Sequence, residues 1–375
     1  MDAVDRARAL ADLIVEHRLD GDVQRRLPQP LVTALIEAGL MRLCVPAAYG
    51  GPEADPVTLI SAIEELGRHD GATAWCSMIA STTASMAAFL PTESAMEIYG
   101  PVDVVTGGVF APNGIGVAAH ADGEDGFAVS GRWAWGSGTQ HSQWVLGGAR
   151  CDDGTFRLCW FRQAEVDFHD TWHSTGVRGS GSLDFSVDGV FVPTRYTIQP
   201  GVTRPVVDSA AARFPNFALL ASSVAAVGLG VARGALDELI AVAAGKRPQY
   251  SSRTLAESVF TQVELARGDA MLRSARAYLV TELAATWELA CAGAPIGLDD
   301  RVGIRSAAVH AARTGAEVAD LAYTLAGGTA VYESSPIGRF ARDAHVVTQH
   351  IQTAPKLNET IGKVLLGIDA DTTLF

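Results

Sequence analysis

His350 is the side chain best placed by type to move a proton in this sequence, because an unperturbed imidazole titrates at about pH 6.5 and can both accept and return one. It falls in a stretch with helical spacing, and an ordinary histidine there is satisfied by a backbone carbonyl or by water. His345 lies earlier, on a different face of the same expected helix, and reads as structural. Ser137, within Trp135-Gly136-Ser137-Gly138, offers a hydroxyl that is otherwise an unremarked turn residue. Arg178 and Arg253 carry guanidinium groups, whose paired donors and permanent charge suit phosphate; a surface salt bridge is the alternative for each. Glu257 is the only carboxylate in GKRPQYSSRTLAESVFTQ, and it follows Arg253 rather than preceding it.

The elements that must position these groups fall into three regions. From residue 3 to about 99 apolar side chains recur at helical spacing, as in Leu31, Leu35 and Leu40, then Leu59, Ile60, Ile63 and Leu66. Pro46, Tyr49, Gly50, Gly51 and Pro52 interrupt that pattern, and a helix rich in small residues near Ala72 to Phe89 is expected to lie inside. From about 101 to 205 the period becomes that of strands in FAVSGRWAW, QWVLGGARC, FRLCWF and LDFSVDGVFVP, which predicts an antiparallel β domain with Trp133 and Trp135 on one face. Helices return near 215–244, 254–291, 299–326 and 345–367, the pattern of a four-helix bundle. The domain expectation is therefore 1–100, 101–205 and 206–375, an α+β chain too long for one core of roughly 100 to 150 residues.

Bulk properties exclude several classes. A net charge of −13 supplies no basic patch for nucleic acid or an anionic membrane surface. Cys44, Cys76, Cys151, Cys159 and Cys291 are scattered, without the close pairs of metal or redox sites, and read as reduced packing residues with no metal implied. The N-terminal segment alternates charge with apolar residues and lacks the apolar core of a signal peptide, so a cytoplasmic location is expected. Phe214 to Ala232 is uncharged for long enough to raise a membrane span. Its serines, glycines and alanines favour a helix buried within a bundle.

Gly327, Gly328, Arg342, Asp343 and Ala344, with the earlier phrase AGLMRLCVPAAYGG, carry a resemblance to the acyl-CoA dehydrogenase superfamily. The order of helical domain, β domain and helical bundle is similar too, so the resemblance covers essentially the whole chain. It implies an acyl-CoA dehydrogenase fold that holds a flavin between the β domain and the bundle. Phe110, Ala111, Pro112, Asn113 and Gly114 match the first flavin-contacting loop, although the usual Thr-Glu-Pro form is replaced. The segment from Trp135 to Ser137 resembles the step whose hydroxyl bonds flavin N5, which assigns that role to Ser137. Gly327 and Gly328 match the cofactor-side turn. The resemblance puts Arg178 near the flavin chain or substrate entrance, and Arg253 toward the phosphates of a flavin bound by a neighbouring subunit. A homotetramer is implied.

Within that family the usual proton-abstracting glutamate falls at position 351, and this chain has Ile351. The flavin-dependent monooxygenase branch, the aromatic hydroxylases, instead carries a histidine near the flavin edge, which His350 matches. These enzymes take reduced flavin from a separate reductase, react it with oxygen and keep water away, so no carboxylate base is needed. A second histidine often comes from the N-terminal domain, but Ala80 occupies the matching position, followed by Ser81 and Thr82. Trp75, Ala80 and Ile351 are the expected pocket residues, with core packing the alternative for Trp75. The expected function is hydroxylation of a hydrophobic, aromatic or polycyclic small molecule. The family's usual glutamine before the Gly-Gly turn is replaced by Leu325-Ala326, which tilts the flavin toward FMN over FAD. Two other readings stay open: an acyl-CoA dehydrogenase using Glu257, or a non-catalytic partner subunit.

Overall fold

The computed structural model describes residues 1–375. The first helices are α1 (Ala3–Ala9), α2 (Ala11–Gln24), α3 (Gln29–Glu37), α4 (Pro56–Gly67), α5 (Gly71–Ala84) and α6 (Thr92–Tyr99). Asp70 caps α5 by accepting from Thr73 N at 2.8 Å. All residues of α5 except Ile79 are buried, as a helix of small residues allows. Its hydroxyls turn back onto carbonyls, Thr82 onto Met78 at 2.8 Å and Thr83 onto Ile79 at 2.8 Å, so burial leaves them bonded.

The sheet comprises β1 (Thr106–Ala121), β2 (Glu124–Gly136), β3 (Trp144–Cys151), β4 (Phe156–Arg162), β5 (Asp167–His169), β6 (Leu183–Pro193) and β7 (Thr197–Ile198), ordered β5-β6-β2-β1-β3-β4-β7. It is mixed rather than wholly antiparallel, because β1 and β3 run parallel. The expected flavin-contacting loop is instead part of the long β1. Its residues 110–113 leave the ladder, since the β3 register jumps from Val109 to Gly114 and pairing with β2 begins only at Gly114. The sheet therefore forks between the first half of β1 and the last residues of β2. The Trp133 indole fills that fork and donates to the carbonyls of Ala111 at 3.1 Å and Gly148 at 2.9 Å. A Cβ at Gly114 would lie 2.6 Å from this ring, which is why a glycine stands there.

Trp133 and Trp135 do not share a face. The β2–β6 register shifts between Trp133 and Gly136, and Trp135 takes a left-handed φ of 66°, so the alternation expected of a regular strand breaks. Trp133 is fully buried, whereas Trp135 is 72% exposed.

Three long helices, α8 (Asn216–Gly245), α9 (Val259–Ala292) and α10 (Leu298–Ala326), follow the short α7 (Ala210–Arg213). The uncharged segment raised as a membrane span lies in α8, whose most apolar window is 89% buried inside the protein. Its glycines permit close approach: a Cβ on Gly315 of α10 would lie 2.7 Å from the Gly228 carbonyl. The expected fourth helix divides into α11 (Pro336–Val347) and α12 (Leu357–Leu365). Thr348 Oγ1 bonds the His345 carbonyl at 2.7 Å, Thr353 Oγ1 reaches the Val347 carbonyl at 3.3 Å, and Pro355 disfavours helix at Ala354. His350 thus lies in a turn, not on a helix with His345. The exposed His345 pairs with Asp320 at 2.9 Å, a structural contact. Cys44, Cys76, Cys151 and Cys159 are buried, Cys291 is exposed, and all five are free.

The N-terminal helices and the bundle share one apolar core, which runs from Ile14 and Leu35 through Trp75 to Val227, Ala308 and Phe340. An ionic cluster crosses it. Arg339 of α11 bonds Asp22 of α2 at 2.7 Å and also bonds Asp70, the cap of α5. Asp343, one turn further along α11, accepts from Val177 N at 2.6 Å, and Val177 has a left-handed φ of 50°. Burial pushes the Asp343 carboxyl up to about 7, with the charge of Asp70 adding to that and Arg339 opposing it. Replacing Arg339 with Met would leave the buried Asp70 and the partly buried Asp22 without their cation. Urea unfolding of Arg339→Met should show a loss of about 3 to 5 kcal/mol; a loss under about 1 kcal/mol would contradict this role.

Candidate active site

Ser137 follows the last residue of β2, on a turn held by Ser137 N to Trp135 O at 2.9 Å and Gly138 N to Ser180 O at 3.0 Å. Gly138 has φ of 69°, a left-handed conformation that glycine adopts without penalty. The Ser137 hydroxyl is buried and already engaged. It accepts from the Trp75 indole Nε1 at 2.9 Å and shares a hydrogen bond with Ser182 Oγ at 2.6 Å, which in turn shares one with Ser180 Oγ at 2.8 Å. The rings of Trp75 and His350 meet in an edge-on arrangement, with centroids 5.6 Å apart and planes at 72°. One site thus draws Trp75 from α5, Ser137 from the end of β2, Ser180 and Ser182 from the turn before β6, and His350 from the turn after α11.

The His350 imidazole has residual exposure but sits among apolar and cationic neighbours. Desolvation pushes its pKa down to about 4, with the charge of Arg305 contributing in the same direction. Gln352 N donates to His350 Nδ1 at 3.3 Å, which assigns the ring proton to Nε2. At neutral pH this group is therefore a neutral imidazole presenting an Nε2–H donor, not one poised between its two states. Because the folded pKa lies below the unfolded value of about 6.5, the stability attached to this neutral ring is complete above pH 6.5 and is lost as pH falls toward 4.

Arg305, on α10, is fully buried and has no carboxylate partner. Its guanidinium donates to the Gln352 carbonyl at 2.7 Å, the Gln352 side-chain oxygen, the Phe217 carbonyl at 3.3 Å and the Leu374 carbonyl. It fastens the turn that carries His350 to the bundle, and burial lowers its own pKa to about 10. Sequence reading passed it over, although a charge among Val302, Ala308, Val309 and Ala312, all buried, is a visible break in the apolar stripe of α10. Ser180 was also missed; nothing but its spacing from Ser182 around Gly181 marks it.

The other expected residues divide into two places. Phe110, Ala111 and Pro112 form the unpaired part of β1, with Ala111 and Pro112 exposed. Arg178 opens the turn to Ser180 and donates through Nε to the Asp22 carbonyl at 3.1 Å, which ties it to α2. Ala80 is buried on α5, and Ile351, beside His350, is 48% exposed. Arg253, Gly327 and Gly328 are exposed at the far end of the bundle, where Lys246 bonds the Ala326 carbonyl and Thr329 Oγ1. No hydrogen bond or ion pair links that group to Ser137. Glu257 is exposed and accepts from Thr254 N at 2.6 Å and Thr254 Oγ1 at 3.0 Å.

These residues fit a planar, polar-edged ring. A largely exposed indole on a left-handed backbone, beside a buried hydroxyl and a strand segment unpaired on both sides, offers stacking surface, a hydrogen bond to one ring atom and, apart from the Ala111 carbonyl held by Trp133, backbone groups for the ring edge. The environment of His350 gives a direct check. In the flavin-free protein, histidine-ring NMR should find His350 neutral down to about pH 4, with its pKa rising only in part in Arg305→Met, because desolvation is the larger cause, and not rising in Arg305→Lys. A titration near pH 6.5 in the unaltered protein would refute the geometry.

Comparison with known proteins identifies the family to which this fold belongs. Residues 3–94 match the acyl-CoA dehydrogenase N-terminal domain and residues 222–355 the acyl-CoA dehydrogenase C-terminal domain. The chain is 33% identical over 352 residues to an indole-3-acetate monooxygenase of Pseudomonas putida, covering 92% of this chain and 89% of the relative. It is 29% identical over 367 residues to the flavin-dependent monooxygenase oxygenase subunit HsaA of Rhodococcus jostii, covering 94% and 95%. The crystal structure of 3-HSA hydroxylase from Rhodococcus sp. RHA1 superposes with a TM-score of 0.90 at 27% identity, covering 100% of this chain and 99% of that one. With its two family domains, its central mixed sheet and these full-length relatives, the chain belongs to the acyl-CoA dehydrogenase superfamily, in the branch of flavin-dependent monooxygenases.

Proposed function

We propose that this protein is the oxygenase component of a two-component system that hydroxylates a hydrophobic aromatic or polycyclic molecule. The observation that carries the reading is the joining of Trp75, Ser137 and His350 with no carboxylate base among them. Ile351 stands where a dehydrogenase would need its glutamate, and Glu257 is exposed and held by Thr254. Bound reduced flavin supplies two electrons with which one atom of O₂ enters the substrate and the other leaves as water. Ser137 would bond flavin N5, with Trp135 against the ring and the backbone of Phe110, Ala111 and Pro112 along its edge. The Nε2–H of His350 would hold a substrate oxygen from the bundle side, and the apolar walls exclude water. Trp75, Ala80 and Ile351 would bound the substrate pocket.

Relatives named as oxygenase subunits support a separate flavin reductase as partner. Arg178 would lie on the approach to this site. In a homotetramer, Arg253 with Gly327 and Gly328 would meet the phosphates of a flavin held by the neighbouring subunit, since paired guanidinium donors match phosphate oxygens. Exposed Val259, Phe260 and Val263 on α9 and Ile240 on α8 supply apolar surface for such packing. FMN stays favoured over FAD on the Leu325-Ala326 departure from the family pattern.

Two substitutions test the roles. His350→Ala should lower product turnover by about tenfold, the factor of one hydrogen bond to the substrate, while reduced-flavin affinity, followed by anaerobic titration, changes little; unaltered product yield would remove His350 from the chemistry. Ser137→Ala should raise the fraction of reduced flavin that ends as hydrogen peroxide about fivefold, the factor of one hydrogen bond. An unchanged fraction would sink the N5 contact.

A further inference from the structure

The Ser137 hydroxyl has one proton to donate and two lone pairs to accept with, and the Trp75 indole N–H can only donate. At 2.9 Å that N–H fills one lone pair permanently, whatever else enters the site. Ser182, at 2.6 Å, takes up a second of the three positions. A single position is left to face an occupant. Neither Trp75 nor the serines have freedom to rearrange: Trp75, Ser137, Ser180 and Ser182 are all at least nine-tenths buried. The turn that bears Ser180 is clamped by Asp343 through Val177 N.

Resting on the functional reading above, we infer that Trp75 is a positioning residue for the N5 contact. Its indole N–H fixes the Ser137 hydroxyl so that the Ser137–Ser182 hydrogen bond must run one way when the occupant donates to Ser137 and the other way when it accepts. With reduced flavin, whose N5 carries hydrogen, the remaining lone pair of Ser137 accepts that N–H. The Ser137 proton then turns to Ser182, which leaves the Ser182 proton free for Ser180. With oxidised flavin, whose N5 is an acceptor, Ser137 donates to N5 and accepts from Ser182 instead. Without the indole donor Ser137 could accept from N5–H and from Ser182 together, and the direction would no longer follow the flavin. The contact of Trp75 with His350, 5.6 Å between ring centroids, requires only an aromatic ring at this position. Trp75→Phe therefore removes the donor and keeps the ring.

The hydrogen bond is testable before any flavin is added. In flavin-free protein labelled with ¹⁵N-tryptophan, the indole signal absent from Trp75→Phe identifies Trp75. Ser137→Ala should shift that signal and speed its exchange with water, and an unmoved signal overturns the proposal. In turnover, Trp75→Phe should raise the fraction of reduced flavin lost as hydrogen peroxide about fivefold, and in a Ser137→Ala background it should add nothing. If the two effects multiply, Trp75 acts elsewhere and the positioning role is wrong. A wild-type protein that binds no reduced flavin would defeat the functional reading instead, leaving the indole signal to decide the hydrogen bond.

Discussion

One guanidinium, Arg339, set among Asp22, Asp70 and Asp343, is the constraint on which the rest of the structure depends. Each carboxylate it faces governs a different element: Asp22 belongs to α2, Asp70 caps the helix that carries Trp75, and Asp343 fastens the backbone of Val177 ahead of the serine turn. Burying such charges is expensive unless they are paired and hydrogen-bonded, so the cluster tolerates little displacement of any member. Three carboxylates around one cation would leave excess negative charge. Desolvation, with the charge of Asp70, pushes Asp343 up and relieves it, because a proton there costs less than a second fully buried anion.

From that cluster outward the site is assembled by positional control. Trp75 and the serine turn both converge on Ser137, and Arg305 brings the His350 turn against Trp75. Desolvation, with the same arginine adding to it, keeps His350 neutral. The result is a site of hydroxyl, indole and imidazole N–H donors with no resident anionic base. Such a site suits a reaction whose electrons come from a bound cofactor and whose main demand on the protein is to orient groups and keep water out.

Much of this was legible in the sequence where the signal was local. Helical spacing located the N-terminal helices and the long helices of the bundle, and the small residues of α5 marked it as internal. Ser137, Trp75 and His350 stood out by type and by resemblance. What failed depended on partners remote in the chain. The parallel pairing of β1 with β3 and the fork plugged by Trp133 are set by strand neighbours that periodicity does not reveal. The bulge that turns Trp135 outward breaks an alternation which sequence alone continues. The helix expected over 345–367 breaks because threonine hydroxyls and Pro355 compete with the helical bonds, which apolar spacing does not register. The depressed pKa of His350 could not be read either, since its causes are burial and an arginine brought in from α10.

The most direct test is the structure of this protein crystallised anaerobically with reduced flavin. The account predicts the ring lying against Trp135, with N5 within hydrogen-bond distance of Ser137 Oγ, Trp75 Nε1 still donating to that oxygen, and His350 facing the open side of the ring. A flavin bound elsewhere, or one whose N5 is held by another group while Ser137 keeps only its bonds to Trp75 and Ser182, would contradict it.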